Sequence, residues 1–318
     1  MQRRKLTFSL VLAGLLLGLT ALAAGAAGLF AEPDVSVLYT LEGDGGAGSF
    51  GWVAASLGDL NGDGAPETIV TAPFIAGPAG NASGKVYVYD GATGALLHDE
   101  TGARLSLFGH SATVAGDVNG DGTPDYVVGA PTLDVFGFGL GLTGQTFVYS
   151  GADHSLLLTL SGPGGAAFGA SVSGAGDVDG DGHADIFVGS TYASVAQNNG
   201  GQVALYSGAD GSLLWTVDGA FPDGFLGSAV GALGDVSGDG VPDLVAGAQG
   251  AGRKAHGEAY ALSGVDGNVL FTMKPVGLPS EPSTFAQYHA SAAPDVNGDG
   301  ITDIYVGDYN ARRGQHQG

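Results

Sequence analysis

The sequence predicts an all-β fold, a β-propeller of four-stranded blades, on three observations. An acidic nonapeptide recurs five times, opening at Asp59, Asp117, Asp177, Asp235 and Asp295, so successive copies lie 58 to 60 residues apart. Between the copies run short segments rich in Val, Ile, Tyr and Phe and bounded by Gly, Asp, Asn and Pro, the composition of strands closed by tight turns. Glycine reaches 60 of 318 residues without a collagen period, and no window offers a capped amphipathic helix of useful length. A fixed period of this size marks stacked supersecondary units, and four short strands per unit fit a blade.

Each unit keeps one internal order. "FGWVAASLG", "FGHSATVAG", "FGASVSGAG" and "FLGSAVGALG" give the first strand, opened by an aromatic residue and glycine. The acidic loop follows, then a second strand closing in a Gly-Ala-Pro-like turn: "TIVTAP", "YVVGAP", "IFVGST", "LVAGAQ" and "IYVGDY". "GKVYVYDG", "GQTFVYSG", "GQVALYSG" and "GEAYALSG" form the third strand; "ALLHDETG", "SLLLTLSG", "SLLWTVDG" and "NVLFTMKP" form the fourth. The ends are out of phase. "VSVLYTLEG" (Val35 to Gly43) reads as a fourth strand without its first three, and "RRGQHQG" reads as the start of a third. Either the N-terminal strand completes the last blade as a clasp that removes free sheet edges, or the ring needs further blades and the chain is a fragment.

Residues 1–31 are expected to form a signal peptide or N-terminal anchor, and residues 35–318 the propeller. The start is basic (Arg3, Arg4, Lys5), an apolar run extends from Leu6 to about Leu22, and Ala-x-Ala candidates stand at Ala21/Ala23 and Ala24/Ala26. The expected location is therefore secreted, periplasmic or cell-surface, with no membrane span once the signal is removed. A net charge of −22 argues against nucleic acid and anionic membranes as partners and in favour of a cation. With no cysteine, neither disulfides nor thiol chemistry is available.

The acidic loop supplies the chemistry. Position 1 is Asp59, Asp117, Asp177, Asp235 or Asp295; position 3 is Asn61, Asn119, Asp179, Ser237 or Asn297; position 5 is Asp63, Asp121, Asp181, Asp239 or Asp299. Position 6 is always glycine, and position 9 is Glu67, Asp125, Asp185, Asp243 or Asp303. Ca²⁺ takes about 6–8 oxygen ligands. Side chains at 1, 3 and 5 of a tightly curled loop point to one centre, and glycine at 6 permits the positive φ of that curl. The carbonyl of position 7 (Ala65, Thr123, His183, Val241, Ile301) adds a ligand regardless of side chain, and position 9 closes the cage. His183 is expected to use only its carbonyl and to point its ring to solvent. A plain series of Asx turns would explain the glycines and one aspartate per loop. It does not explain why sixteen of the 32 acidic residues fall in five nine-residue windows, where like charges repel unless neutralised. By charge count, the loop at Asp177 binds most tightly, and the loop with Ser237 most weakly. An EF-hand requires Glu at position 12, whereas here Val70, Val128, Val188, Ala246 and Val306 stand there, inside the next strand.

With these residues in view, the order aromatic-Gly, acidic loop, Gly-Ala-Pro resembles the FG-GAP repeat of the integrin alpha-chain head and its bacterial relatives; "FGHSATVAGDVNGDGTPDYVVGAP" is similar to that repeat's consensus. The resemblance covers roughly residues 35–310. It implies a propeller, usually of seven blades, with calcium between the first and second strands on one face and partner-binding loops on the opposite face. The chain departs from the pattern where "GST", "GAQ" and "GDY" replace GAP and "FAQY" replaces FG.

No catalytic constellation emerges: neither H-E-x-x-H, G-x-S-x-G nor a phosphate-cradling G-x-x-x-x-G-K-[ST] is present. Trp52 and Trp215 read as core or rim packing, and His110 as a local packing substitution. Asn81 opens a glycosylation sequon. The expected function is a non-enzymatic, calcium-stabilised adhesion module with up to five structural Ca²⁺ ions and an extracellular protein or glycan ligand. The rival reading is the non-catalytic propeller of a larger secreted hydrolase or lyase.

Overall fold

The computed structural model describes residues 37–44, 49–275 and 285–308. The leader expected over residues 1–31 and the third-strand start expected over residues 312–318 lie outside them. Residues 37–44 belong to a first unit ending at Gly45 and form no strand, unlike the fourth-strand pattern read there.

The second unit, from Gly46 onward, is built from the predicted blades. The first is β1 (Ala54–Gly58), β2 (Glu67–Thr71), β3 (Lys85–Tyr89) and β4 (Leu96–Thr101). Next come β5 (Ser111–Gly116), β6 (Asp125–Ala130), β7 (Thr143–Tyr149) and β8 (Leu156–Gly164). The third holds β9 (Phe168–Gly176), β10 (Asp185–Ser190), β11 (Gln202–Tyr206) and β12 (Leu213–Asp218). The fourth holds β13 (Leu226–Gly234), β14 (Asp243–Ala248), β15 (Glu258–Leu262) and β16 (Val269–Met273). A two-stranded sheet of β17 (Phe285–Ala293) and β18 (Asp303–Asp308) follows. Every pairing between these strands is antiparallel and every complete sheet runs in chain order. The only helical turns among the described residues are 3₁₀ segments at Leu133–Phe136 and Arg253–Ala255.

Burial explains the strand compositions. The second strands β2, β6, β10 and β14 are buried along their whole length, which accounts for the Ile, Val, Leu, Phe and Tyr that follow the acid opening each, whereas β4 is mostly exposed. Consecutive blades pack through their first strands, β1 on β5, β5 on β9, β9 on β13 and β13 on β17. Between the first two lie Leu57, Ile69, Val86, Phe108 and Tyr126, all nearly inaccessible. Serine hydroxyls stitch neighbours together. Ser111 Oγ donates to the Gly169 carbonyl at 2.9 Å, Ser171 Oγ to Gly227 at 2.8 Å and Ser228 Oγ to Ala286 at 2.9 Å. The glycine after the aromatic residue is left-handed, with φ +83° at Gly169, and that is why the motif carries glycine there. In the last repeat, Ala286 adopts the same region at φ 60°.

Candidate metal-binding loops

In each blade the acidic loop joins the first strand to the second, so a strand end fixes both ends of the loop. Position 1 organises its backbone. Asp177 Oδ1 accepts the Gly180 and Asp181 amides at 2.7 and 3.0 Å, and its Oδ2 accepts the Gly182 amide at 3.0 Å. Asp59, Asp117, Asp235 and Asp295 repeat the pattern. At position 3, Asn61, Asn119, Asp179 and Asn297 accept the amide two residues on, while Ser237 instead turns its hydroxyl towards Asp235. At position 5, Asp63, Asp121, Asp181, Asp239 and Asp299 accept the amides of position 7: Ala65, Thr123, His183, Val241 and Ile301.

Position 9 is different. Asp125 and Asp185 are fully buried and lie under the loop. Asp125 accepts the Val118 and Asn119 amides at 2.7 and 3.2 Å and the Gly151 amide at 2.9 Å; Asp185 accepts those of Val178, Asp179 and Gly208. Asp243 and Asp303 hold the equivalent loop amides, and Asp243 also takes that of Gly264. This carboxylate ties the loop to the hairpin between the third and fourth strands. Desolvation pushes the carboxyls of Asp125 and Asp185 above the usual range, although the amides they accept pull the other way. Among the exposed members, the Thr123 amide lowers Asp121, the Gly240 amide lowers Asp235 and the Gly300 amide lowers Asp295.

Two loops gather three acids. Asp177, Asp179 and Asp181, all exposed, place carboxylate oxygens within 4.8 Å of one another, as do Asp59, Asp63 and Glu67. The longer arm of Glu67 lets it join the second group while Oε2 accepts the Leu60 amide. Asp185, one methylene shorter, is held beneath its loop. Elsewhere Asn119, Ser237 and Asn297 leave carboxylates only at positions 1 and 5 above the buried or half-buried position 9. All donors are oxygens, as a hard divalent cation requires.

The ring of His183 does not point to solvent. Its Nδ1 lies 2.7 Å from the Val118 carbonyl of the preceding blade, and the Ala184 amide donates to the Asp117 carbonyl at 2.8 Å. Packing against the neighbouring loop outweighs hydration there. Asp90 was not legible as a site residue. Its Oδ2 accepts from Asn61 Nδ2 at 3.0 Å, adding an acid beside the first loop, and only its place in "YDG", where later units have "YSG" or "LSG", hints at this. Trp215 packs against Phe187 and donates to the Gly264 carbonyl at 2.7 Å, so it is a packing residue.

Comparison with known proteins identifies the repeats. The FG-GAP repeat family matches residues 168–206 and 226–265, and an FG-GAP-like repeat matches residues 59–128. Integrin alpha-6 of Gallus gallus is 34% identical over 172 residues, 51% of this chain and 15% of the relative. Human integrin alpha-7 is 36% identical over 160 residues, 47% of this chain and 13% of the relative. The chain therefore spans only a small part of these relatives' length. Among solved structures, a Bacillus licheniformis rhamnogalacturonan lyase superposes with TM-score 0.43 at 15% identity, covering 79% of this chain and 54% of the lyase. Saccharomyces cerevisiae Sqt1 gives 0.47 at 11% identity, covering 80% of this chain and 55% of its own.

Proposed function

We propose, from the premise that this chain is an FG-GAP repeat protein with integrin-alpha-like blades, that it is an exported, non-enzymatic binding module whose acidic loops hold structural Ca²⁺. The observation that carries the reading is the convergence of Asp177, Asp179 and Asp181 on one point. Three exposed carboxylates at that separation repel in the absence of a counter-charge, and a divalent ion removes the repulsion. In each loop, side chains at positions 1, 3 and 5 and the carbonyl of position 7 would hold the ion; Glu67 joins them in the first loop. Position 9 of the remaining loops, Asp125, Asp185, Asp243 and Asp303, supports the cage from below and would complete it. The ion supplies charge neutralisation and a fixed strand junction, and with it folding free energy. An extracellular protein or glycan is the partner class that suits an integrin-alpha-like propeller.

Metal content after exhaustive dialysis, together with thermal unfolding with and without chelator, tests the reading. Calcium should co-purify, with up to five ions per chain, and the unfolding midpoint should fall on chelation. Asp181→Ala should release one ion. An unchanged midpoint together with an unchanged metal count would overturn it.

A further inference from the structure

The ends of the blades opposite the acidic loops carry an aromatic band. Trp52, before β1, packs edge-on to Phe74, after β2, at 5.3 Å between ring centres. Phe74 stacks on Phe136 at 6.0 Å, and Phe136 meets Phe138 at 6.1 Å. At the tip of the loop between β6 and β7, Phe138 is 63% exposed and Leu140 53%. This tip, residues 135–142, reads V-F-G-F-G-L-G-L and has no polar side chain.

The loop's one acid is turned inward. Asp134 is 1% exposed and accepts the Leu140 and Leu142 amides at 2.5 and 2.7 Å. The Gly137 amide donates to the Asp134 carbonyl and the Val135 amide to that of Thr132. A polar partner is recognised through directed donors and acceptors. This tip offers apolar rings instead and satisfies those backbone amides internally, as hydrocarbon surroundings demand. Arg104, exposed, lies in the connection from β4 to β5 at the same end of the sheets, and Trp52 turns its indole N–H inward to the His110 carbonyl at 2.9 Å while its ring stays 44% exposed. The acidic turns lie at the other end of the sheets, away from a lipid headgroup layer. The apolar run from Leu6 to about Leu22 makes a bilayer a surface this chain is expected to meet.

We infer that the 135–142 loop, with Trp52 and Phe74 at its base, docks on the surface of a zwitterionic phospholipid bilayer and inserts Phe138 and Leu140 below the headgroups. This inference does not rest on calcium in the loops.

Trp52 is a built-in probe. In a Trp215→Phe background of the full chain, phosphatidylcholine vesicles should shift Trp52 emission to the blue, and acyl-chain-brominated phosphatidylcholine should quench it. Replacing Phe138 and Leu140 together by Ser should lower vesicle partitioning about tenfold while the unfolding midpoint stays in place. Absence of both shift and quenching overturns the proposal, as does a double variant that partitions like its parent. The quenching measurement needs no loop variant, so it decides the matter even if the double variant misfolds.

Discussion

Within one nine-residue loop, the carboxylates at positions 5 and 9 have different work to do. Asp181 is exposed and shares its oxygens with Asp177 and Asp179, whereas Asp185 is sealed beneath them and accepts three backbone amides. Asp185→Ala would strand those amides in a dry site, and the chelated protein should lose about 3 kcal/mol of stability, read by denaturant unfolding. Asp181→Ala should not destabilise the chelated protein, since it also relieves repulsion with Asp177 and Asp179, and should cost stability only when calcium is present. A second prediction concerns His110, which lies between Trp52 and Phe136 with Nδ1 3.2 Å from the Ala170 carbonyl. Burial holds its imidazole down to about 4, below the usual 6.5. Between those values the unfolded chain binds a proton that the folded chain refuses. This contribution to stability is therefore complete above pH 6.5 and is lost as pH falls towards 4. Asp125 and Asp185 push the other way, because their raised folded values favour the protonated native state as pH falls. Comparison with His110→Gln isolates the histidine: the variant should lose less stability than the parent across that window.

At the scale of elements, the glycine that follows each third strand sets the blade's geometry. Gly151 lies against the Pro124 carbonyl so closely that an added methyl would collide with it, and its amide is one of those that hold Asp125. Gly151→Ala must push the hairpin away from the acidic loop, and a loss of about 2 kcal/mol or more in denaturant unfolding is expected, with calcium affinity falling as well. Much of this architecture was legible beforehand. The period gave the spacing of successive sheets, and alternation of apolar runs with Gly-rich turns gave strand order, because buried second strands such as "DYVVGA" admit few other placements. The double life of position 9 was not legible, since Asp125 and Asp121 look alike in sequence and differ only in which side of the loop they occupy. Nor was the contact of His183 with Val118, which depends on the stacking of one blade on another. Of the fourth strand read at Val35 to Gly43, the described residues 37–44 form no strand.

Across the second unit as a whole, charge is sorted by end. The turns joining first to second and third to fourth strands contain the acidic loops together with Asp90, Asp153, Asp210 and Asp266, and not one Lys or Arg. The opposite connections carry Trp52, Phe74 and the 135–142 loop, with Arg104, Arg253 and Lys254 and the acids Asp134 and Asp223. The stacking contacts Ala184 to Asp117 and His183 to Val118 bring acidic loops of adjacent blades side by side, so repulsion acts between loops as well as within them. Such repulsion between exposed charges is screened over about 10 Å at 0.1 M salt, whereas a coordinated ion cancels it locally. The chelated protein should accordingly gain thermal stability as NaCl is raised from low ionic strength. The calcium-loaded protein should respond far less, because its loops are already neutralised. Calcium at millimolar concentration should stabilise beyond NaCl of equal ionic strength, since coordination adds direct ligation that screening does not supply. Calorimetric scans of both forms across a salt series check this directly. Parallel salt responses in the two forms would mean that the loops tolerate their charge without an ion, and the acidic ends would then be ordinary solvated turns.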